Sequence, residues 1–371
     1  MTTILHIGMA KTGTTQLQST LMLSRAALLE AGILYPEPYG KFNNHRILVV
    51  EHLSFDGLPR HMRRHCVAES ELVEGKAEFL GRLRSQVQEE RPNTVVLSSE
   101  SLFSFADEKL LRGVHDDLIG SGLDDIQVVV YVRRPSSHYL SSMQQRIRAS
   151  HEIRPPKAPD YRGRIEACMR VFGRDRMAVR RFDRELLLGA DIVTDFCSHF
   201  LPGIALESLT RSELSNDSLS AASLAILRRY RMDFYPDQNN VPSKDTSQLK
   251  LTLVDLDVRL GLSKPKLHKS VADAIDHSSA DAVWLRDEFQ IEFAGIDYGE
   301  LEGRIGAGDP TGVGGWGDGA GGISLTGLGE VIKLDPEEQA VLLEELGRSR
   351  WAAAEEGRGK WVSSLSGSLV A

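Results

Sequence analysis

The stretch that decides the fold is "ILHIGMAKTGTTQLQSTL", residues 4–21. A β-rich run over 3–8 enters a turn bounded by Gly8 and Gly13. Leu17, Leu21 and Leu28 with their neighbours then carry helical periodicity to about Ala31, and Gly32 ends the helix. Such a strand–loop–helix unit turns successive backbone N–H groups and a positive helix end toward an anion. The hydroxyls of Thr12, Thr14 and Thr15 add donors. The Gly-x-x-x-x-Gly frame is that of a phosphate loop, but its lysine is displaced. A nucleoside-triphosphate site ends in Gly-Lys-Ser/Thr, with the lysine on the β/γ-phosphates and the hydroxyl on magnesium. Here Thr14 follows Gly13, and the lysine is Lys11, on the crest of the loop.

Working outward, "ILYP" (33–36), "TVVLSSE" (94–100), "DIQVVVYVR" (125–133) and "MAVRRF" (177–182) read as further strands. The third and fourth of the five runs are continuously apolar, the pattern of strands buried on both faces. Helices are expected near 73–90, 135–150, 160–172 and 190–200. Alternating strands and helices predict an α/β fold, a P-loop-type parallel β-sheet sandwiched by helices. From 204 the chain turns mainly helical. A capped amphipathic helix is expected over 218–231, starting at Ser218 or Ser220. Residues 303–322 hold 10 of the 33 glycines, which makes this stretch a loop or linker, or else a lid. Asp335, Pro336, Glu337 and Glu338 start a last helix over 334–346. The expected division is a core over 1–203, a helical region of the same domain over 204–302, the glycine-rich 303–323, and a helical segment over 324–371.

Composition narrows the function. The charge balance, 44 − 52 = −8, argues against general affinity for nucleic acid. Cys66, Cys168 and Cys197 are few, odd in number and scattered, which suits a reducing compartment and suggests no disulfide framework or metal cluster. No basic leader precedes the first strand, and no run approaches the roughly 18 apolar residues of a membrane span. A cytoplasmic, bacterial protein without a membrane span is the expectation.

"HIGMAKTGTT" (6–15) resembles the 5′-phosphosulfate loop of sulfotransferases that use 3′-phosphoadenosine 5′-phosphosulfate (PAPS), which commonly reads Lys-x-Gly-Thr-Thr or Arg-x-Gly-Thr-Thr. "VVVYVRRPSSHYLSSMQQR" (128–146) resembles that family's second signature, a strand-end Arg and a Ser eight positions later on a helix. Arg133 and Ser141 have that separation, 141 − 133 = 8, and by resemblance hold the donor's 3′-phosphate. Many relatives have Asp or Asn after that Arg, where this chain has Arg134. This leaves Arg134 with Ser142 as an alternative register, although Pro135 at the helix start favours Arg133. The resemblance covers residues 1–230 loosely and includes "RRFDREL" (180–186), where Phe182 either borders the adenine or is a plain core aromatic.

The resemblance implies PAPS as co-substrate, no metal, and Lys11, Thr12, Gly13, Thr14 and Thr15 around the phosphosulfate. Lys11 would stabilise charge on the leaving phosphate. For the base that deprotonates the acceptor the order is Glu37, then His45, then Glu100. Relatives carry a Glu near the strand end that Glu37 occupies, and His45 titrates near neutrality. Glu100 lies at the carboxyl edge of the sheet, as base, as orienting group, or as a Walker B carboxylate. His61, His65, His115, His138 and His151 are scattered and are assigned nothing. The implied acceptor is a hydroxyl or amine of a carbohydrate, glycolipid or small metabolite, covered by the region from 204. A P-loop kinase and a noncatalytic nucleotide-binding regulator remain as alternatives.

Overall fold

The computed structural model describes residues 1–40, 42–58, 60–63, 68–212, 218–306 and 327–365. Among these, β1 (Thr2–His6), β2 (Ile33–Leu34), β3 (Thr94–Ser98), β4 (Asp125–Val132) and β5 (Met177–Arg181) form one all-parallel sheet, in the order β2-β3-β1-β4-β5. The apolar runs explain why these strands pair in parallel: Val95–Leu97 and Val128–Val132 have essentially no exposed surface. A strand buried on both faces needs helices on both sides, and crossover connections supply them.

The order places β1 at a switch in direction. The chain moves outward from β1 to β2, returns to β3, and then continues on the other side through β4 and β5. In open α/β sheets ligands bind outside the carboxyl ends of strands at such a point. Three segments leave the sheet there: the glycine loop after β1, Ser99 and Glu100 after β3, and Arg133 after β4.

The chain forms two compact units. The sheet unit comprises 1–133, 160–214 and 284–293. One of its cores unites Leu17 and Leu21 of helix Thr14–Leu23 with Val96, Val129 and Tyr131 of the sheet and Phe196 of helix Ile192–Phe200. The other unit, 134–159, 215–283 and 294–371, is helical. Its core gathers Met143, Leu224, Leu253, Leu342, Trp351 and Trp361 from six helices.

The units therefore do not divide at 203. Between β4 and β5 the chain inserts helix Pro135–Ile147, whose Tyr139, Met143 and Ile147 are buried in the helical core. It returns with helix Tyr161–Phe172 to the sheet. Other differences are local. The expected first helix is two, Thr14–Leu23 and Arg25–Glu30, with Ser24 between them. Ser220, not Ser218, caps helix Ala221–Phe234 by accepting from Ser223 N–H at 2.9 Å. Asp335 caps Pro336–Gly347 as expected. Helix Tyr298–Gly306 runs into the start of the glycine-rich stretch, whose remainder from 307 lies outside the described residues, as does Cys66. Cys168 and Cys197 are buried free thiols, each pushed up to about 12 chiefly by burial. No helix of the described residues is long and apolar enough to cross a membrane.

Candidate functional site

The glycine loop adopts two left-handed residues, Lys11 at φ 70° and Gly13 at φ 76°. Gly13 is required twice over, because a Cβ there would stand 2.9 Å from Ile192 Cγ2 and 3.2 Å from Phe182 Cε2. For Lys11, which has a Cβ, the same backbone region costs free energy and marks a constrained, often functional, position. Helix Thr14–Leu23 has no side-chain cap, and its first backbone bond is Leu17 N–H to Gly13 O at 3.1 Å. The N–H groups of its first turn thus have no intrahelical acceptor, the arrangement that binds anions. Thr15 is exposed at this helix start and Thr14 is buried beneath it. Thr12 differs from expectation: its hydroxyl donates to Met9 O at 2.6 Å, so it braces the loop and has no proton left for a ligand.

Arg133 reaches this loop from the end of β4, its Nη1 donating to Lys11 O at 3.0 Å. Its guanidinium carbon stands 5.7 Å from the centre of the Phe182 ring, so Phe182 lies against both Gly13 and Arg133. Tyr161 Oη donates to Arg133 O and fixes the backbone. Among the described residues, Arg133 Nε and Nη2 make no hydrogen bond. Burial, and then the neighbouring Arg184 charge, hold the Arg133 pKa below its ordinary value. Although the Asp183 charge opposes this shift, a half-buried guanidinium with two nitrogens unbonded favours an incoming anion.

Arg134 is committed elsewhere. Its Nε donates to Asp276 Oδ2, its Nη1 to Ala294 O and its Nη2 to Gly295 O, each at 2.8 Å. Asp276, 1 % exposed, also accepts from Ser136 N–H at 2.9 Å. That arginine builds the helical unit, so of the two registers only Arg133 keeps an open fork. Ser141 and Ser142 lie on helix Pro135–Ile147 of that unit, both half-buried.

The three candidate bases separate clearly. Glu37 is on the surface, 55 % exposed, with Arg25 3.7 Å away. His45 is fully buried with both ring nitrogens engaged: Nδ1 accepts from Ser98 N–H and Nε2 donates to Pro36 O, each at 3.0 Å. Burial lowers its pKa to about 4. Its ring packs edge-on to Tyr35 at 4.8 Å, and it serves as a strut. Glu100 is the carboxylate beside the loop: a Cβ built on Gly8 would lie 3.5 Å from Glu100 Cγ. Burial raises the Glu100 pKa, while Arg46 and then Lys11 oppose the rise. Lys11, Glu100, Arg133 and Phe182 therefore share one sheet edge; Glu37 faces solvent, and His45, bonded to Ser98 at the end of β3, is buried with both ring nitrogens engaged.

Two features had no motif to announce them. Ser99 Oγ, next to Glu100, is buried without a hydrogen-bond partner among the described residues. Arg46 follows His45 and faces Glu100 electrostatically. A buried network supports this edge: His6 Nδ1 shares a 2.8 Å hydrogen bond with Ser98 Oγ, which accepts from Gln18 Nε2 at 3.0 Å. Comparison with protein-family models, curated proteins and solved structures finds no match for the chain.

Proposed function

We propose that the chain is a PAPS-dependent sulfotransferase of P-loop type, moving a sulfuryl group in line from the donor to a hydroxyl or amine. The observation that carries the proposal is the Arg133–Lys11 hydrogen bond, which joins the two motifs of the family resemblance across 122 residues. In this assignment the loop amides and Lys11 hold the 5′-phosphosulfate and Arg133 holds the 3′-phosphate. Phe182 borders the adenine.

The bond from sulfur to the bridging oxygen breaks as the bond from the acceptor oxygen or nitrogen to sulfur forms. Negative charge then grows on the leaving 5′-phosphate, where Lys11 stabilises it. The acceptor's proton goes to Glu100, which replaces Glu37 as first choice because it lies beside the loop. A carboxylate made more basic by burial suits that task, worth typically about 10²–10⁴ in rate. Thr14 in the place of a P-loop lysine argues against nucleoside-triphosphate hydrolysis.

The test is to incubate a bacterial extract with the protein and PAPS and to search by mass spectrometry for sulfate additions. A product that depends on PAPS, and disappears with Lys11→Ala, supports the proposal. Turnover of ATP with magnesium, and none of PAPS, would replace it with a kinase.

A further inference from the structure

The segment after β2 says what kind of acceptor fits. Residues 42–46, "FNNHR", are clamped onto the sheet unit. His45 N–H donates to Ser98 O at 2.8 Å, Asn44 Nδ2 to Gln18 Oε1 at 3.2 Å, and Asn43 Nδ2 to Ser19 Oγ at 2.6 Å. Behind the segment, the nearly inaccessible Lys76 Nζ donates to Val50 O at 2.9 Å and pairs with Asp117 at 2.7 Å.

This frame presents Arg46. Its Nε donates to Asn44 Oδ1 at 2.8 Å, and its guanidinium carbon sits 4.1 Å from the Phe42 ring centre. A guanidinium stacked on one face and held at one nitrogen is pre-organised, so little freedom is left to lose on binding. Nη1 and Nη2 make no hydrogen bond among the described residues, and no ion pair with Glu100 forms within 4.0 Å. The side-chain hydrogen bond and ring contact of Arg46 lie within its own segment, whereas Lys11 belongs to the glycine loop and Arg133 is bonded to it. An open fork near the basic carboxylate, but off the donor loop, matches a second anion. At this edge the cations Lys11, Arg46, Arg133 and Arg184 outnumber the carboxylates Glu100 and Asp183, in a chain whose net charge is −8, which favours anionic ligands locally.

We propose that Arg46 binds a carboxylate or phosphate carried by the acceptor, next to the hydroxyl or amine that faces Glu100. The proposal rests on the sulfotransferase assignment for its chemistry. Three probes separate the sources of the anion: glucuronate, glucose 6-phosphate and neutral methyl glucoside. They are titrated into the full chain, with and without 3′-phosphoadenosine 5′-phosphate (PAP), and followed by NMR.

One of the two charged probes should bind at least about tenfold more tightly than the neutral one, the scale of a charge-assisted fork. Glucuronate in front names a carboxylate acceptor, and glucose 6-phosphate in front names a phosphate ester. Arg46→Gln should remove the preference and Arg46→Lys should retain part of it, with PAP affinity unchanged in both as the control for folding. Equal binding of all three probes, or a preference that survives Arg46→Gln, overturns the proposal. Failure of the parent protein to bind PAP would instead sink the donor assignment, and the titration without nucleotide still reads Arg46.

Discussion

Arg133 Nη1 donates to the carbonyl of Lys11 across 3.0 Å, so the end of β4 holds the crest of the loop that follows β1. The carbonyl it holds belongs to a residue at φ 70°, which ties the arginine to an unfavourable backbone as well as to its proposed ligand. Positioning and chemistry should then separate by mutation. Arg133→Ala should weaken PAP binding about ten- to a hundredfold, and Arg133→Lys should restore only part, lacking the planar fork. Lys11→Ala should lower turnover at saturating donor with a smaller loss of affinity, since charge grows beside it only during transfer. Calorimetry with steady-state kinetics checks both, and near-normal turnover in Lys11→Ala would remove its role.

Arg134 should behave in the opposite way. Its removal leaves the buried Asp276 carboxylate with only the Ser136 N–H, at a cost of about 3 kcal/mol for a broken buried pair. Arg134→Ala is therefore expected to lower the thermal midpoint while PAP affinity per folded molecule stays close to the parent value. Denaturant unfolding and calorimetry on the same samples decide it. Loss of nucleotide affinity at unchanged stability would restore the alternative register.

Glu100 carries a pH prediction. Because burial raises its pKa, the acid limb of turnover should be displaced upward from the ordinary value of a glutamate. Arg46 and Lys11 both oppose that rise, so Arg46→Gln should move the limb to still higher pH. Glu100→Gln should cut turnover by about 10²–10⁴ with nucleotide binding nearly intact. For stability the sign is reversed from the usual carboxylate. A raised folded pKa stabilises below the unfolded value, and that contribution is lost as pH rises through the folded one. Glu100→Gln should then raise the thermal midpoint at pH 7 and not at pH 4. An unchanged pH–rate profile in Glu100→Gln would return the role of base to Glu37.

Two buried histidines set the acid stability. Burial lowers both His6 and His45 to about 4, so the unfolded chain takes up their protons first as pH falls. Their contribution is complete above about pH 6.5 and declines toward pH 4, by up to about 3 kcal/mol each. Carboxylates held by arginine, such as Asp195 with Arg180, titrate lower still. In a Glu100→Gln background, which removes the opposing Glu100 contribution, the histidines therefore dominate the window from about pH 6.5 to 4.5. Urea midpoints measured across that window should fall. A flat profile would mean that the histidines are solvated.

What was legible in the sequence followed from local pattern. β3 and β4 announced themselves as continuous apolar runs, and the loop with Lys11 and the strand-end Arg133 as short motifs. What was not legible depends on partners far along the chain. Arg134 looks like a phosphate ligand until Asp276, 142 residues on, takes it. Glu37 matches a position along the chain but faces solvent, while Glu100 is made basic by the packing around it. His45 titrates near neutrality as a free side chain, and the Ser98 amide and the Pro36 carbonyl remove that freedom. The only local hint of Arg46 was the run of amides before it, and its orientation comes from Phe42 and Asn44.

The donor is tested most directly by calorimetry of three nucleotides on the parent protein: PAP, AMP, and ATP with magnesium. A cradle at the helix start and an open Arg133 fork predict that PAP binds about ten- to a hundredfold more tightly than AMP, through one added phosphate contact of about 1.5–3 kcal/mol. ATP with magnesium should gain nothing comparable, because Thr14 stands where the β/γ-phosphate lysine belongs. Equal affinity for PAP and AMP, or tightest binding of ATP with magnesium, would contradict a phosphosulfate donor.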